Sequence, residues 1–174
     1  MKWLVSLLLG MAAFTARAEV VNSSDSSFQV KSAFNINAPA ARVYVAFSQI
    51  GHWWNPEHSW SGKAANLSLH PRAGGCFCEK LPEGGSVQHM TVVFAQPGKL
   101  LRLSGALGPL QPGALAGSMD WALADKGNHT ELSLSYDVAG HYAGGLDKIA
   151  PAVDGVLTEQ MNRLKRFVET GKPQ

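Results

Sequence analysis

The chain has 174 residues, 45% of them hydrophobic, with 15 basic and 13 acidic side chains. Two of the basic ones, Lys2 and Arg17, fall in an N-terminal stretch that reads as an export signal, and without them the signs balance at thirteen each. A balanced charge excludes the basic face with which a nucleic-acid binder neutralises phosphates, and the length suits one domain with an ordinary core.

In chain order, Lys2 gives a positive start, Trp3 to Phe14 is apolar, and Ala16-Arg17-Ala18 is a small-x-small cleavage site. Residues 1–18 are therefore expected to be a signal peptide cut after Ala18, with a periplasmic or secreted product. The apolar run is shorter than the ~20 residues of a membrane span, and no later stretch of that length lacks charges, so the chain is not expected to span a membrane. Residues 19–27, rich in Ser, read as a flexible lead-in. A single domain is expected over 28–171.

Phe28 to Ile36 alternates as a half-buried strand does. Pro39 suits a helix start, and Val43, Ala46, Phe47 and Ile50 have helical spacing up to Gly51, expected to be its stop. His52 to Gly62 holds Trp53, Trp54 and Trp60 and is punctuated by Pro56, which predicts a short helix and a turn. From Ala64 to Val138 the pattern is six short strands: around Leu67–Leu69, Cys76–Leu81, Val87–Ala95, Leu100–Ser104, Leu115–Leu123 and Thr130–Val138. Turns this short favour antiparallel neighbours. Ile149, Val153, Val156, Leu157, Met161, Leu164 and Val168 then mark one long helix ending at Gly171-Lys172-Pro173, with Pro151 expected in its first turn.

This order predicts an α+β fold: a curved antiparallel sheet wrapped around a long C-terminal helix, with two short helices after the first strand. A helix laid across a concave sheet leaves a natural pocket between them.

Several strings carry a resemblance to the START-like (SRPBCC) superfamily, whose fold is the helix-grip. They are Ala38-Pro39-Ala40-Ala41-Arg42-Val43-Tyr44, Trp53-Trp54-Asn55-Pro56, Gly74-Gly75-Cys76-Phe77-Cys78-Glu79 and the final helix. The resemblance covers Phe28 to Glu169 and is nearest to the polyketide-cyclase-like or heat-shock-ATPase-activator-like branch. It implies a cavity for a hydrophobic ligand, in a superfamily of lipid carriers, aromatase/cyclases and co-chaperone domains. An export signal would part this chain from a cytosolic ATP-driven chaperone.

Residues two apart on a strand share a face. That rule places Leu101 and Leu103, Met119 and Trp121, and Leu134 and Tyr136 inside, with Leu67 and Leu69. On the strand from Cys76, an exposed Lys80 puts Phe77 and Glu79 inside. A carboxylate facing an apolar interior needs a partner, and becomes either a structural ion pair or a group with a perturbed pKa and a function. The alternation from Val87 to Phe94 fits two opposite faces equally; if His89 is inside, it approaches Glu79 across neighbouring strands and forms a pair able to orient a ligand or move a proton. Of the aromatic cluster, at least one of Trp53 and Trp54 is expected in the core, while His58 and Trp60 are the candidates for ligand contact. Cys76 and Cys78 read as structural; a bridge two residues apart requires the strand to bulge. His52 and His58 lack a third ligand at metal spacing, so no metal and no cofactor are expected. Gly108 to Gly113 reads as a loop.

The candidate ligand-binding residues are therefore His58, Trp60, Phe77, Glu79, His89, Leu101, Leu103, Met119, Trp121, Leu134 and Tyr136. They point to an exported protein that holds a small apolar or amphipathic molecule. The alternatives are a cyclase/aromatase-type enzyme using Glu79 and a His as acid and base, and a protein-interaction module of the cell envelope.

Overall fold

Alternating apolar side chains along the strands need a single face to bury, and antiparallel neighbours supply it. A computed structural model of the chain describes residues 18–174, so the expected signal lies outside the described residues except for Ala18. Eight strands follow in order: β1 (Ala18–Ser24), β2 (Ser27–Ile36), β3 (Leu67–Leu69), β4 (Cys76–Lys80), β5 (Ser86–Gln96), β6 (Leu100–Ser104), β7 (Ala114–Asp125) and β8 (Thr130–His141). They form one antiparallel sheet in the order β1-β2-β8-β7-β6-β5-β4-β3. Among the described residues three α-helices, α1 (Ala40–Phe47), α2 (Ile50–Trp53) and α3 (Leu146–Thr170), and four single-turn 3-10 helices complete the fold. This is the expected α+β helix-grip architecture.

The helix α3 lies along β2 and β1. Its start is fixed where the Leu146 N–H donates to the Asp25 carbonyl at 2.9 Å, and its last turns where Glu169 accepts from the Asn37 N–H at 2.8 Å. Under its second half, α1 and α2 fill the sheet's concavity with rings: Trp121 stands between Phe47, at 4.9 Å, and Trp53, at 6.1 Å. Among the described residues no helix is long and apolar enough to cross a membrane.

Four local expectations are corrected. Residues 19–27 are not an irregular lead-in: most of them lie in β1, which pairs with β2 and turns at Asp25 and Ser26. The polar composition hid a strand whose backbone, rather than its side chains, is its partner's target. The two short helices consequently follow the second strand. The helix from Ala40 does not run to Ile50; it stops at Phe47, where the Ser48 hydroxyl and the Trp53 indole N–H donate to the Val45 and Ala46 carbonyls. Gly51 is not a helix stop but lies inside α2, where a Cβ would press on the Ala64 and Leu67 carbonyls at 3.0 and 3.1 Å. Pro151 sits in the second turn of α3, because that helix begins at Leu146.

Candidate functional site

The sheet's other end, beneath the first half of α3, is not filled. A cleft of about 400 Å³ opens there. Its walls are Ile149, Ala152, Val153, Val156 and Leu157 of α3, Trp54 to Trp60 except Asn55 and Pro56, Leu67 of β3, Phe77 of β4, His89 of β5, and the loop Leu107-Gly108-Pro109. Nearly all of this surface is carbon; Glu57, His58 and Ser59 supply polar groups.

Each wall is held by its own bonds. The segment after α2 is clamped to α3: the Asn55 N–H donates to Gln160 Oε1 at 2.8 Å, the Asn55 side-chain amide to Glu159 at 2.6 Å, and Arg163 Nε to the Trp53 carbonyl at 2.8 Å. His58 reaches the same Glu159 at 3.1 Å. The loop wall is fixed by buried Tyr136, whose hydroxyl donates to the Gly105 carbonyl and accepts from the Leu107 N–H, both at 3.0 Å. Burial pushes that phenol up to about 12, against the opposing effect of the Leu107 N–H, so it stays a donor. Gly117 is required alongside, since a Cβ there would run into the Gly105 carbonyl and the Tyr136 ring.

Behind the Phe77 wall lies a buried carboxylate–imidazole pair. Glu79, 1% exposed, and His89, 5% exposed, meet at 2.9 Å through Glu79 Oε2 and His89 Nε2. The same carboxylate accepts the backbone N–H groups of Trp60, at 3.1 Å, and Ser61, at 2.5 Å. It therefore fastens the Trp60 segment to β4. Burial alone would raise the Glu79 carboxyl, but the bonds from Ser61, Trp60 and His89 outweigh it and hold the group below its ordinary value. Burial lowers the His89 imidazole, and the Glu79 contact offsets only part of that effect. At neutral pH the pair is a carboxylate beside a neutral ring.

The ambiguous alternation of β5 has a structural cause. Phe77 pairs with Met90 and Cys78 with Gln88, so His89 is the extra residue of a β-bulge. The bulge turns His89 and Met90 both inward, whereas strict alternation allows only one of them. A second bulge skips Val93 between Val92 and Phe94, leaving Val93 and Phe94 both exposed. Beside the first bulge, Cys76 and Cys78 are joined in a disulfide with their Cα atoms 5.4 Å apart, which settles their pairing as a bridge on the outer face of β4.

The eleven candidate residues divide into three groups. His58, Trp60, Phe77 and His89 line the cleft. Glu79 does not line it but holds two of its walls, through His89 and the Trp60 backbone. Leu101, Leu103, Met119, Trp121, Leu134 and Tyr136 do not line it; they are almost wholly buried in the packed core, where Trp121 meets Phe47 of α1 and Trp53 of α2 and Tyr136 meets Phe28 of β2. Trp53 is core, and Trp54 is buried yet lines the cleft. The α3 wall and the Leu107-Gly108-Pro109 loop were not among the candidates. A signal for the first existed: Ile149, Val153 and Val156 form an apolar row beside the row of Leu146, Ala150 and Leu157, more than one buried face needs. The loop carried none beyond its Gly and Pro.

No protein-family model and no curated protein matches the sequence. Solved structures do resemble it. A conserved protein of unknown function from Enterococcus faecalis is 14% identical, with 90% of this chain and 78% of that one covered at a TM-score of 0.59. CalU16 from Micromonospora echinospora is 14% identical, with 92% and 88% covered at 0.58. The Aha1 dimer from Colwellia psychrerythraea is 16% identical, with 83% and 98% covered at 0.57. Identities this low speak for architecture and not for activity. The sheet order and these neighbours agree on the fold, the helix-grip architecture of one curved antiparallel sheet against a long C-terminal helix.

Proposed function

We propose that this protein binds a small apolar or amphipathic molecule in the cleft under the first half of α3. The observation that carries the reading is an apolar-walled space of about 400 Å³ left open beside a core that is otherwise filled. Burial against Trp54, Phe77, Val153 and Val156 supplies the affinity, and Glu57, His58 and Ser59 keep a polar end solvated. Trp60, 54% exposed, is a ring free to close over a bound molecule. The pattern of Lys2, Trp3 to Phe14 and Ala16-Arg17-Ala18 supports placing this binding outside the cytoplasm, in the periplasm or beyond.

Protein purified from its native envelope, extracted and analysed by mass spectrometry, should yield an apolar molecule in stoichiometric amount, absent from the Val156→Arg variant. A wild-type protein that carries nothing, and that quenches no Trp fluorescence with any apolar probe, would sink the reading. One observation favours a second reading, an enzyme of the cyclase type: the Glu79–His89 pair stands at the cleft wall in the arrangement of a base and its orienting carboxylate. Turnover by the wild type that disappears in His89→Gln, with binding retained, would mark the enzyme.

A further inference from the structure

The charges around the cleft have one sign. Glu57 lines it, exposed and without an ion pair among the described residues. Glu159 stands directly behind His58, 3.1 Å from its ring. Glu79 stands behind His89 and the Trp60 backbone, at 2.9 and 3.1 Å. Each of these three carboxylates belongs to a wall residue or to the next residue behind one. No Lys or Arg lines the cleft. The cations nearest in sequence are engaged elsewhere: Lys148 pairs with Asp147 at 2.6 Å, and Arg163 donates to the Trp53 carbonyl at 2.8 Å. Lys63 is exposed and is not part of the wall. A protonated His58 would cancel one carboxylate of the three. Glu79 has the longest reach, being 1% exposed among two backbone N–H groups and a ring that burial keeps neutral. Hydrogen bonds hold its charge and no cation cancels it. Solvent ions screen a buried charge poorly, and low-dielectric walls focus the field of like-signed groups into a cleft. The sign is local to this site, because residues 19–174 carry thirteen charges of each kind.

We infer that the occupant of this cleft is an apolar molecule carrying a positively charged amine, with the ammonium group at the edge formed by Glu57, His58 and Ser59. The inference rests on the cleft being a binding site, and it adds the charge of what binds there. The apolar body lies against Phe77, Val153 and Val156. An ammonium group at the edge is attracted by all three carboxylates, and a carboxylate head on the same body is repelled by all three. Trp60, 54% exposed, adds a ring whose face attracts a cation and not an anion. Glu79 acts here as a fixed charge behind the wall and never meets the ligand.

The test compares decylamine, decanol and decanoate, which share one chain and carry a positive, a neutral and a negative head at neutral pH. Each is titrated below micelle formation and followed by Trp fluorescence. The expected order of affinity is amine, alcohol, carboxylate, with the amine at least about tenfold tighter than decanoate in low salt and the ratio narrowing as salt is added. In Glu57→Lys, a change at an exposed position, that ratio should fall at least about threefold while decanol binds as before. Decanol or decanoate binding as tightly as the amine, or an unaltered ratio in Glu57→Lys, overturns the inference and leaves the cleft a binding site. Failure of all three probes to bind overturns the binding site and this inference with it.

Discussion

Replacing Glu79 by Gln tests the claim that one buried carboxylate holds the mouth of the cleft together. Two donors, the Trp60 N–H and His89 Nε2–H, meet at Oε2, and the Ser61 N–H meets Oε1. The amide of Gln presents one oxygen and one NH₂ in place of two oxygens. Whichever way it turns, at least one donor faces another donor in a site that is 1% exposed. Losing one charge-assisted bond is worth about 1.5–3 kcal/mol, and leaving the opposed donor unsatisfied adds about 1–3 kcal/mol. The expected loss is therefore about 3–5 kcal/mol, in the range for breaking a buried pair by removing one partner. Urea unfolding followed by Trp fluorescence gives the stability change, read as a lower midpoint at an unchanged slope. Amide hydrogen exchange locates it: the Trp60 and Ser61 N–H groups should lose more protection than those of β8. A loss under about 1 kcal/mol with both amides still protected would refute the account, since Glu79 would then be dispensable to the segment it is said to hold.

Stability should also depend on pH on the acid side. Both members of the pair have folded pKa values below their ordinary ones, 6.5 for the imidazole and 4.5 for the carboxyl. The unfolded chain thus binds protons first: melting temperature should be flat above about pH 6.5, decline below it as His89 is charged in the unfolded state, and decline again below about pH 4.5. A rise in melting temperature on acidification from pH 6.5 would contradict this sign. Core and cleft should separate by mutation. Leu101→Ala should cost about 2–5 kcal/mol and change the affinity for an apolar fluorescent probe less than twofold, whereas Val156→Arg should change stability by about 0.5 kcal/mol or less and weaken binding more than tenfold by titration. Tyr136→Phe removes the hydroxyl between Gly105 and Leu107; it should cost about 1–3 kcal/mol and raise hydrogen exchange at Leu107, which unchanged exchange would deny.

The architecture was legible because it rests on period. Leu132, Leu134, Tyr136 and Val138 alternate without a break and all are buried in β8, and the apolar row of α3 repeats at helical spacing over its 25 residues. The strand β1 was illegible for a complementary reason. Its sequence, Ala-Glu-Val-Val-Asn-Ser-Ser, offers little to bury beyond Val20, and pairing with the backbone of β2 makes it a strand. The inward turn of Glu79 followed from the exposed Lys80 next to it, and the meeting with His89 from neighbouring strands. What alternation could not decide was the face of His89 itself. A bulge is an insertion of one residue in the pairing, not in the composition, so Val87 to Phe94 fits both faces until its partner strand is known.

The six candidate residues that proved to be core show where the argument from a concave face stops. An inward side chain of a curved sheet meets either a pocket or whatever the intervening chain delivers there, and strand alternation does not distinguish the two. Between β2 and β3 the chain delivers α1 and α2, whose Phe47, Ile50 and Trp53 are fully buried against the sheet. These meet α3 in its second half, through Trp53 with Arg163 and His52 with Phe167. After Trp53 the chain forms only short turns, clamped to α3 by Asn55 and to β4 by Glu79, until β3 begins at Leu67. No ring of that segment reaches far enough to cover Ile149, Val153 and Val156, which stay half-buried on the cleft wall. The opening is thus a consequence of how little regular structure lies between Trp53 and Leu67. It predicts its own control: lengthening that segment with bulky apolar residues should fill the cleft and raise stability while abolishing binding, whereas shortening it should part Asn55 from Gln160 and cost stability first.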